Sequence, residues 1–408
     1  MAESTHRDSR RPDETFRLQA IPAHLDKAGV HDLLRQRLGD NVKARVHSLA
    51  CSPESPREKT ATLQFLELPE LLLRDGESDK DEWALNLPDE LEGPVLDNHF
   101  RGMKPLHSSD DSKCTVEYAG LNPYFLFALS GLGSHAFGSF KKRNEPYMWL
   151  RDSLSRDLPH LRIFTFGYES RLVESQSFQN INDLAIKFRN ALSEVQSVDA
   201  SRPCILLGHS LGGIVLKQAI LQISDCNHLG ATRLEAVLGI LLFGVPNQGM
   251  DVKSLVPMVG DQPNRYLVES LGQSSEILRH QERTFQKVFD FKESMVFSFF
   301  ETVKSPTAQK VDGRWRMSGE PAVLVDRYSA THCRPWETGD FYIYPVDRTH
   351  SEMVKFTNSQ DEYYKVVKGR LNRLVMNRNE MVRRKNSELR QPKGGQESGE
   401  PAPLLVNS

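Results

Sequence analysis

The stretch ILLGHSLGGIVLKQAI, residues 205–220, decides the fold that the rest of the chain must build. An apolar run is followed by a glycine-flanked serine and then by a helix-like pattern, which predicts a strand, a sharp turn at Ser210 and a helix. Glycines two residues either side let the backbones pass closely, and the helix start brings its positive end to the serine. Such a motif arises by chance about 0.15 times in a chain of this composition. Its context therefore decides between a nucleophile and an ordinary turn, and strand, turn and helix together favour a nucleophile.

The composition of the whole chain narrows the class of protein. A formal net charge of −2 over 408 residues does not favour nucleic acid as a partner. Five scattered cysteines without a C-x-x-C pair predict reduced thiols in an intracellular, cytoplasmic protein. We find no apolar run long enough for a transmembrane helix, and the first residues lack the apolar segment of a secretory signal.

The first part of the chain predicts a small separate unit. Residues 1–15 are polar and are predicted to be disordered. Residues 16–95 read as strand, helix, strand, strand, helix, which predicts a small α/β plait. This order resembles that of an RNA-recognition module. The third strand offers Phe65 as its one aromatic, so a structural or regulatory role is favoured over stacking on bases.

Residues 96–386 predict a larger α/β domain in which strands and helices alternate. Near-continuous apolar character suits parallel strands that are buried on both faces. The predicted strands are 123–131, 161–168, 203–210, 236–246, 294–301 and 322–326. A cap-like insertion is predicted at about 247–293, and residues 387–408 are predicted to be a disordered tail.

A nucleophilic serine needs backbone donors for the oxyanion that forms during its reaction. The stretch FALSGLGSHAFGSF, residues 127–140, supplies a glycine-rich loop after a strand. The N–H groups of Leu132 and Leu211 are the predicted donors. A plain glycine turn is the alternative interpretation of this loop.

The order Ser, then Asp or Glu, then His is typical of this architecture. His350, in YPVDRTHSEMVKF, is favoured over His332 as the general base because it precedes the final helical stretch. Glu301 ends the predicted penultimate strand and Asp326 ends the predicted last one. The order rule selects Glu301 as the acid and leaves Asp326 as the alternative.

Several blocks, taken in order, carry a resemblance to a known family. They are GLGSHAFGSF, GHSLGGIVLKQA, LFGVPNQG, FSFFET and DRTHSEMVKF, within roughly residues 120–358. Here the chain resembles the serine-active-site-containing proteins of the serine esterase group. The resemblance implies an α/β-hydrolase with Ser210, Glu301 and His350 as its triad, acting on lipid or acyl esters with no metal and no organic cofactor. It also implies association with mitochondrial or endoplasmic reticulum membranes.

The chain departs from the pattern of that family in two places. Ser130 stands where the oxyanion loop of the family usually begins with His. LFGVPNQG replaces the usual Gly-Thr-Pro-His-x-Gly, so that Asn247 stands in place of another histidine. These changes predict a different loop setting and a different pocket floor.

The sequence as a whole predicts a serine hydrolase that cleaves carboxylic esters through an acyl-enzyme. The alternative is a catalytically silent binding or signalling module with the same fold. The predicted partner is an acyl or lipid ester. For the basic helical stretch of residues 360–385 a solvated helix is favoured, and peripheral contact with an anionic membrane is the alternative. No nucleic acid partner is expected.

Overall fold

A computed structural model gives the architecture of the chain. It describes residues 14–52, 55, 57–73, 80–107, 124–197, 202–225 and 233–390, with side chains described as far as residue 383. Within these residues the chain forms a five-stranded sheet, a seven-stranded sheet and a two-stranded hairpin.

The five-stranded sheet comes first in the chain, and its strand pairs are antiparallel. The strands are β1 (Phe16–Pro22), β2 (Ala44–Cys51), β3 (Glu58–Phe65), β4 (Glu82–Ala84) and β5 (Val95–Asp97), in the order β2-β3-β1-β5-β4. Two helices, α1 (Lys27–Leu38) and α2 (Glu70–Leu73), belong to this unit. A core that includes Phe16, Leu34 and Leu63 holds it together. Its likeness to an RNA-recognition module stays a prediction.

The seven-stranded sheet is the frame of the larger region. The remaining strands are β6 (Gly102–His107), β7 (Tyr124–Leu129), β8 (Leu161–Gly167), β9 (Cys204–His209), β10 (Val237–Phe243), β11 (Met295–Glu301), β12 (Ala308–Val311), β13 (Arg314–Met317) and β14 (Ile343–Val346). The sheet order is β14-β11-β10-β9-β7-β8-β6, while β12 and β13 form the hairpin. Every neighbouring pair in the large sheet is parallel except β6 with β8. The predicted α/β class with a mostly parallel sheet is confirmed.

Helices cover both faces of the large sheet. They are α3 (Ser155–Asp157), α4 (Ile181–Gln196), α5 (Leu211–Asp225), α6 (Val256–Val259), α7 (Arg265–Glu269), α8 (Glu276–Val288), α9 (Arg327–Thr331) and α10 (Glu362–Arg390). One face packs on α4, α5 and α8, and the other packs on α10 and the segment around Trp149. All the residues of β7, β9 and β10 are buried, as expected for parallel strands covered on both faces. This strand order, with helices on both faces, is the α/β-hydrolase fold.

The strand order creates a crevice at the centre of the sheet. The chain adds β8 on one side of β7 and then returns to add β9 and β10 on the other side. Loops that follow neighbouring strands at such a reversal separate, and ligands of open α/β sheets bind there, beyond the carboxyl ends of the strands. The loops after β7 and β9 are the two that the sequence marked, so the fold brings them together.

The prediction of a strand at residues 322–326 is wrong, because the last strand of the sheet is β14. Residues 323–325 make no ladder, and the backbone N–H groups of Leu324 and Val325 donate to the carboxylate of Glu301 instead. The strands β6 and β14 escaped prediction. Each is an edge strand that contains a proline, Pro105 or Pro345, and proline is tolerated at edges but weakens a strand pattern.

The prediction of reduced thiols is wrong for Cys51. Cys51, at the end of β2, is disulfide-bonded, and its partner lies outside the described residues. Cys204 and Cys333 are buried free thiols. Cysteine usage therefore does not support an intracellular location.

Other predictions concern the termini and the insertion. Thr15 lies at the end of the segment that is predicted to be disordered, and it is buried. Residues 1–13 of that segment lie outside the described residues. Helix α10 continues to Arg390, past the predicted start of the tail at 387, and residues 391–408 are not described. The segment 247–293 contains α6, α7 and α8. Among the helices of the described residues, none has the length and the apolar character that crossing a bilayer requires.

Candidate active site

Ser210 lies between the end of β9 and the start of α5, at the centre of the sheet. Its φ angle is 52°, in the left-handed region that non-glycine residues rarely adopt. Its backbone N–H donates to the carbonyl of Phe243 in the neighbouring strand, at 2.9 Å, which holds the turn against β10. A strained serine in a strand-to-helix turn has the geometry of a nucleophile elbow.

The glycines that flank Ser210 allow close backbone contacts. A Cβ atom at Gly208 would lie 2.5 Å from the Cα of Gly213, and one at Gly212 would lie 2.5 Å from the carbonyl oxygen of Leu129. Neither contact leaves room for a side chain. Packing of the turn against α5 and β7 thus explains why both positions are glycine.

His350 lies in the loop after β14 and is held at three points. Its Nδ1 lies 2.5 Å from Oε2 of Glu301. Its backbone N–H donates to Oγ of Ser305 at 2.9 Å, and its carbonyl accepts from Nε2 of His209 at 2.9 Å. Because Nδ1 keeps its proton and donates it in a hydrogen bond to the carboxylate, Nε2 of the neutral ring presents a lone pair. This Nε2 is buried and has no hydrogen-bond partner within the described residues.

The position of the His350 ring ties it to the serine turn. A Cβ atom at Gly244 would lie 2.9 Å from both Cε1 and Nδ1 of His350. Gly244 directly follows Phe243, whose carbonyl binds the N–H of Ser210. The ring of His209 lies 5.0 Å from that of His350. The histidine, its carboxylate and the serine turn therefore meet at the carboxyl end of β9 and β10.

Glu301 is the last residue of β11, and its side chain is buried. One carboxylate oxygen binds His350, while the other accepts the N–H groups of Leu324 and Val325 at 3.1 and 3.2 Å. A buried carboxylate needs such donors to offset its lost hydration. The segment that was wrongly predicted to be a strand thus holds the carboxylate of Glu301 in place.

The two alternative residues have other partners and make no contact with His350 within the described residues. Asp326 is exposed and accepts the N–H of Ser329 at 2.9 Å, as the N-cap of α9. His332 is 39% exposed, and its Nε2 lies 3.4 Å from Oε1 of Glu282. The structure brings Glu301 and His350 into contact next to the strand end that holds the Ser210 turn, and it leaves these two out of that contact.

The predicted oxyanion loop follows β7 and packs directly on the serine. A Cβ atom at Gly131 would lie 2.8 Å from the Cβ of Ser210. The N–H of Leu132 donates no hydrogen bond within the described residues, and the N–H of Leu211 is a first-turn donor of α5 without a helical acceptor. Two backbone donors are thus available beside the serine, as an oxyanion site requires.

Residues that the sequence did not single out fix the oxyanion loop. The hydroxyl of Tyr168 donates to the carbonyl of Ser130 at 2.6 Å, and burial raises the pKa of that hydroxyl, so it stays protonated. Gly133 N–H donates to the carbonyl of Ser170 at 2.7 Å. His135 Nε2 lies 2.6 Å from the carbonyl of Asn98, in the segment that joins the small sheet to β6. The loop is anchored through its backbone, so it does not depend on a histidine side chain at position 130.

Asn247, at the second departure from the family, joins three parts of the fold. Its Oδ1 accepts from Nζ of Lys217 in α5 at 2.9 Å, and its Nδ2 donates to the carbonyls of Ser329 and Ala330 in α9. Both side chains are buried, and burial lowers the pKa of Lys217. The side chain of Asn247 therefore links α5 to α9 through buried hydrogen bonds.

Substitution of Gly131 by alanine is expected to lower kcat on an acyl ester by about 10²–10³-fold, because the added methyl group would displace the serine or its donor loop. The unfolding free energy should fall by about 1–3 kcal/mol. Gly369→Ala is the control, since this glycine in α10 has open space around it and should gain about 0.5–1 kcal/mol without loss of kcat. A Gly131→Ala enzyme with wild-type turnover would contradict this packing.

His209 makes a testable contribution to the pH dependence of stability. Burial, and then the charge of His350, lower its pKa to about 3 from an ordinary value of 6.5. Between these values the unfolded chain binds the proton and the folded chain does not, so stability is lost as the pH falls below 6.5. We expect His209 to remove about 2 kcal/mol of unfolding free energy between pH 7 and pH 5.

Urea unfolding of wild type and His209→Gln at both pH values measures this. Glutamine does not titrate, so the variant should lose about 2 kcal/mol less than wild type over the same range. The buried His135, whose pKa is also lowered by burial, contributes equally to both proteins. Equal losses in the two proteins would show that His209 is not a buried neutral group.

Comparisons with known proteins agree with the resemblance predicted from the sequence. No family model matches the chain. The chain is 27% identical to Protein SERAC1 of Mus musculus over 219 residues, which is 51% of this chain and 30% of the mouse protein. It is 28% identical to Protein SERAC1 of Danio rerio over 166 residues, 38% of this chain and 24% of that protein. The matches span less than a third of these relatives, and the predicted resemblance is confirmed at that level.

Two of the solved structures with a related arrangement are named as lipases. Lipase BlEst2 of Bacillus licheniformis is 14% identical, with a TM-score of 0.38, over 59% of this chain and 90% of that chain. Lipase B of Aspergillus fumigatus is 12% identical, with a TM-score of 0.35, over 57% of this chain and 46% of that chain. The strand order described above, and not these distant likenesses, establishes the fold.

Proposed function

We propose that the protein is a serine hydrolase that cleaves carboxylic esters, with Ser210 as nucleophile, His350 as general base and Glu301 as the acid that orients it. The observation that carries this proposal is the geometry of the turn. Ser210 is held at a positive φ in a strand-to-helix turn, beside a buried histidine whose Nδ1 binds a buried carboxylate.

The proposed reaction uses these groups in two steps. Nε2 of His350 takes the Ser210 proton as Oγ attacks the ester carbonyl, and the imidazolium then protonates the leaving alcohol. In the second step His350 takes a proton from water, which attacks the acyl-enzyme and releases the acid while the proton returns to Ser210. Glu301 stabilises the imidazolium without taking its proton. The reaction needs no metal and no organic cofactor.

In this proposal the N–H groups of Leu132 and Leu211 bind the oxyanion. They are unpaired within the described residues and flank the serine from the loop after β7 and from the first turn of α5. Each such donor contributes about a hundred- to thousandfold in rate, because it is already oriented when the negative charge forms.

Lipid or acyl esters are the proposed substrates. The resemblance of the sequence blocks around Ser210, Glu301 and His350 to the serine esterase group supports this class.

The position of α10 indicates how the protein would be oriented in the predicted membrane contact. Leu374 of this helix packs on Gly239, near the amino end of β10, and Tyr124, the first residue of β7, donates to Asn379 at 2.5 Å. The second half of α10 thus lies near the amino ends of β7 and β10, whereas Ser210 follows the carboxyl end of β9. We retain peripheral membrane contact as a proposal in which the helix anchors the protein while the site faces away. An intracellular location, with or without mitochondrial or endoplasmic reticulum membranes, stays a prediction.

A fluorophosphonate probe tests the proposed function. We expect the wild-type protein to form a covalent adduct at Ser210, and Ser210→Ala to form none, as measured by intact mass and peptide mapping. Such probes require a serine activated by its neighbours, so a folded wild-type protein that stays unlabelled would support the catalytically silent binding module instead.

A further inference from the structure

A cleft of about 750 Å³ lies at the β6 edge of the large sheet, and neither Ser210 nor His350 nor Glu301 lines it. Its walls are β6, the segment after β8 and the outer face of α4. This volume falls in the range of small-molecule sites. The charged side chains that line it are Arg101, Lys104, Glu169, Arg171, Lys187 and Glu194, four basic and two acidic.

Two arginines of the cleft are held side by side by one carboxylate. Oε2 of Glu169 accepts from Nη2 of Arg101 at 2.9 Å and from Nη2 of Arg171 at 3.2 Å, and Oε1 accepts from Nε of Arg171 at 2.9 Å. Burial opposes ionisation of Glu169, but the hydrogen bonds and charges of the arginines outweigh it and lower its pKa. Arg101 also lies 3.2 Å from Asp81.

The arginine pair keeps donors for a further anion. The side chains of Arg101 and Arg171 are 42% and 66% exposed, and their Nη1 groups have no hydrogen-bond partner among the described residues. A guanidinium offers donors in a planar fork that matches carboxylate and phosphate oxygens. Because Glu169 already fixes both side chains, less rotational freedom is lost when an anion binds.

Lys187 adds a third positive group from the helix on the other side of the cleft. Its Nζ donates to Oε1 of Gln179 at 2.7 Å, a neutral partner that orients the ammonium group without cancelling its charge. The six lining charges sum to +2. Asp81 offsets part of this charge at Arg101, and the remaining positive groups with their free donors suit an anion with several acceptor oxygens, such as a phosphate monoester.

We propose that this cleft binds a phosphate monoester, with Arg171, Lys187 and Arg101 as its ligands. This is a binding site in addition to the proposed hydrolase site, and it does not depend on the activity of Ser210. The phosphate belongs either to a small soluble molecule or to a lipid headgroup, and the same three side chains serve both sources.

Calorimetric titration of the full chain with glycerol 3-phosphate tests the site. We expect the double variant Arg171→Gln with Lys187→Gln to bind at least about tenfold more weakly than wild type, because two charge-assisted contacts are lost. Both side chains are exposed, so the unfolding midpoint should not change. The single variant Lys187→Gln, which breaks a contact with a neutral partner only, should lie between the two.

The matched control is Arg156→Gln with Lys365→Gln. Both of these side chains are exposed outside the cleft, and Arg156 contacts Asp157 much as Arg171 contacts Glu169. This variant should bind like wild type.

A parallel sedimentation assay with phosphatidylcholine vesicles that contain phosphatidic acid identifies the source of the phosphate. Sedimentation that the cleft variant loses indicates a lipid headgroup. Binding of glycerol 3-phosphate that the cleft variant loses, without sedimentation, indicates a soluble ligand. Equal binding by wild type and the cleft variant, or no binding to either probe, would overturn the proposal.

Discussion

Replacement of Ser210 by alanine is expected to lower kcat on a short-chain acyl ester by about 10⁴–10⁶-fold. No other described hydroxyl is positioned by the strand-to-helix turn, and the residual rate would come from binding and the oxyanion donors alone. KM should change little, because the hydroxyl contributes to the transition state rather than to binding of the ester. Steady-state kinetics on purified protein measures both constants.

The fold should survive this change. Alanine and serine have the same backbone restrictions at φ 52°, so the strain of the turn is common to both proteins. Ser197→Ala is a suitable control, because Ser197 is an exposed residue at the end of α4. A Ser210→Ala protein that kept its activity within about tenfold of wild type would remove Ser210 from the mechanism.

Replacement of Glu301 by glutamine is the second large expected effect, a loss of about 10⁴-fold in kcat. The neutral amide cannot stabilise the imidazolium. Its NH₂ group can also donate to Nδ1 of His350, which favours the wrong tautomer, whereas the carboxylate 2.5 Å from Nδ1 keeps the proton on that atom. Because the carboxylate also accepts the N–H groups of Leu324 and Val325, the unfolding free energy should fall by about 1–3 kcal/mol.

Asp326→Asn provides the matched comparison for the acid. Asp326 is exposed and caps α9, and asparagine caps a helix about as well as aspartate. Its kcat should therefore stay close to that of wild type, and its unfolding free energy should change by less than about 0.5 kcal/mol. The opposite ranking of these two variants would make Asp326 the acid and would refute the role proposed for Glu301.

Much of the fold could be predicted because its central strands have strong patterns. β7, β9, β10 and β11 are apolar almost throughout, since helices cover both faces of a parallel sheet. The edge strands β6 and β14 could not be predicted in this way. They are short, they contain proline, and they are stabilised by a neighbouring strand that is distant in sequence.

The misread segment at residues 322–326 has the same kind of cause. Its apolar residues resemble a strand, and Val325 is fully buried. Its N–H groups, however, bind a carboxylate that lies more than twenty residues earlier. Local pattern reports burial, but it does not report which acceptor a backbone donor will meet.

The sequence by itself determined the central sheet, the serine turn and the candidates for base and acid, because apolar periodicity, glycine spacing and chain order are local properties. The tertiary structure alone decided that Glu301 rather than Asp326 contacts His350, and that His209, Ser305 and Tyr168 hold the surrounding loops. It alone also placed Arg101 and Arg171 on one carboxylate. The physical reason is that each of these contacts joins atoms from separate loops, and their meeting depends on strand order and burial in the folded chain.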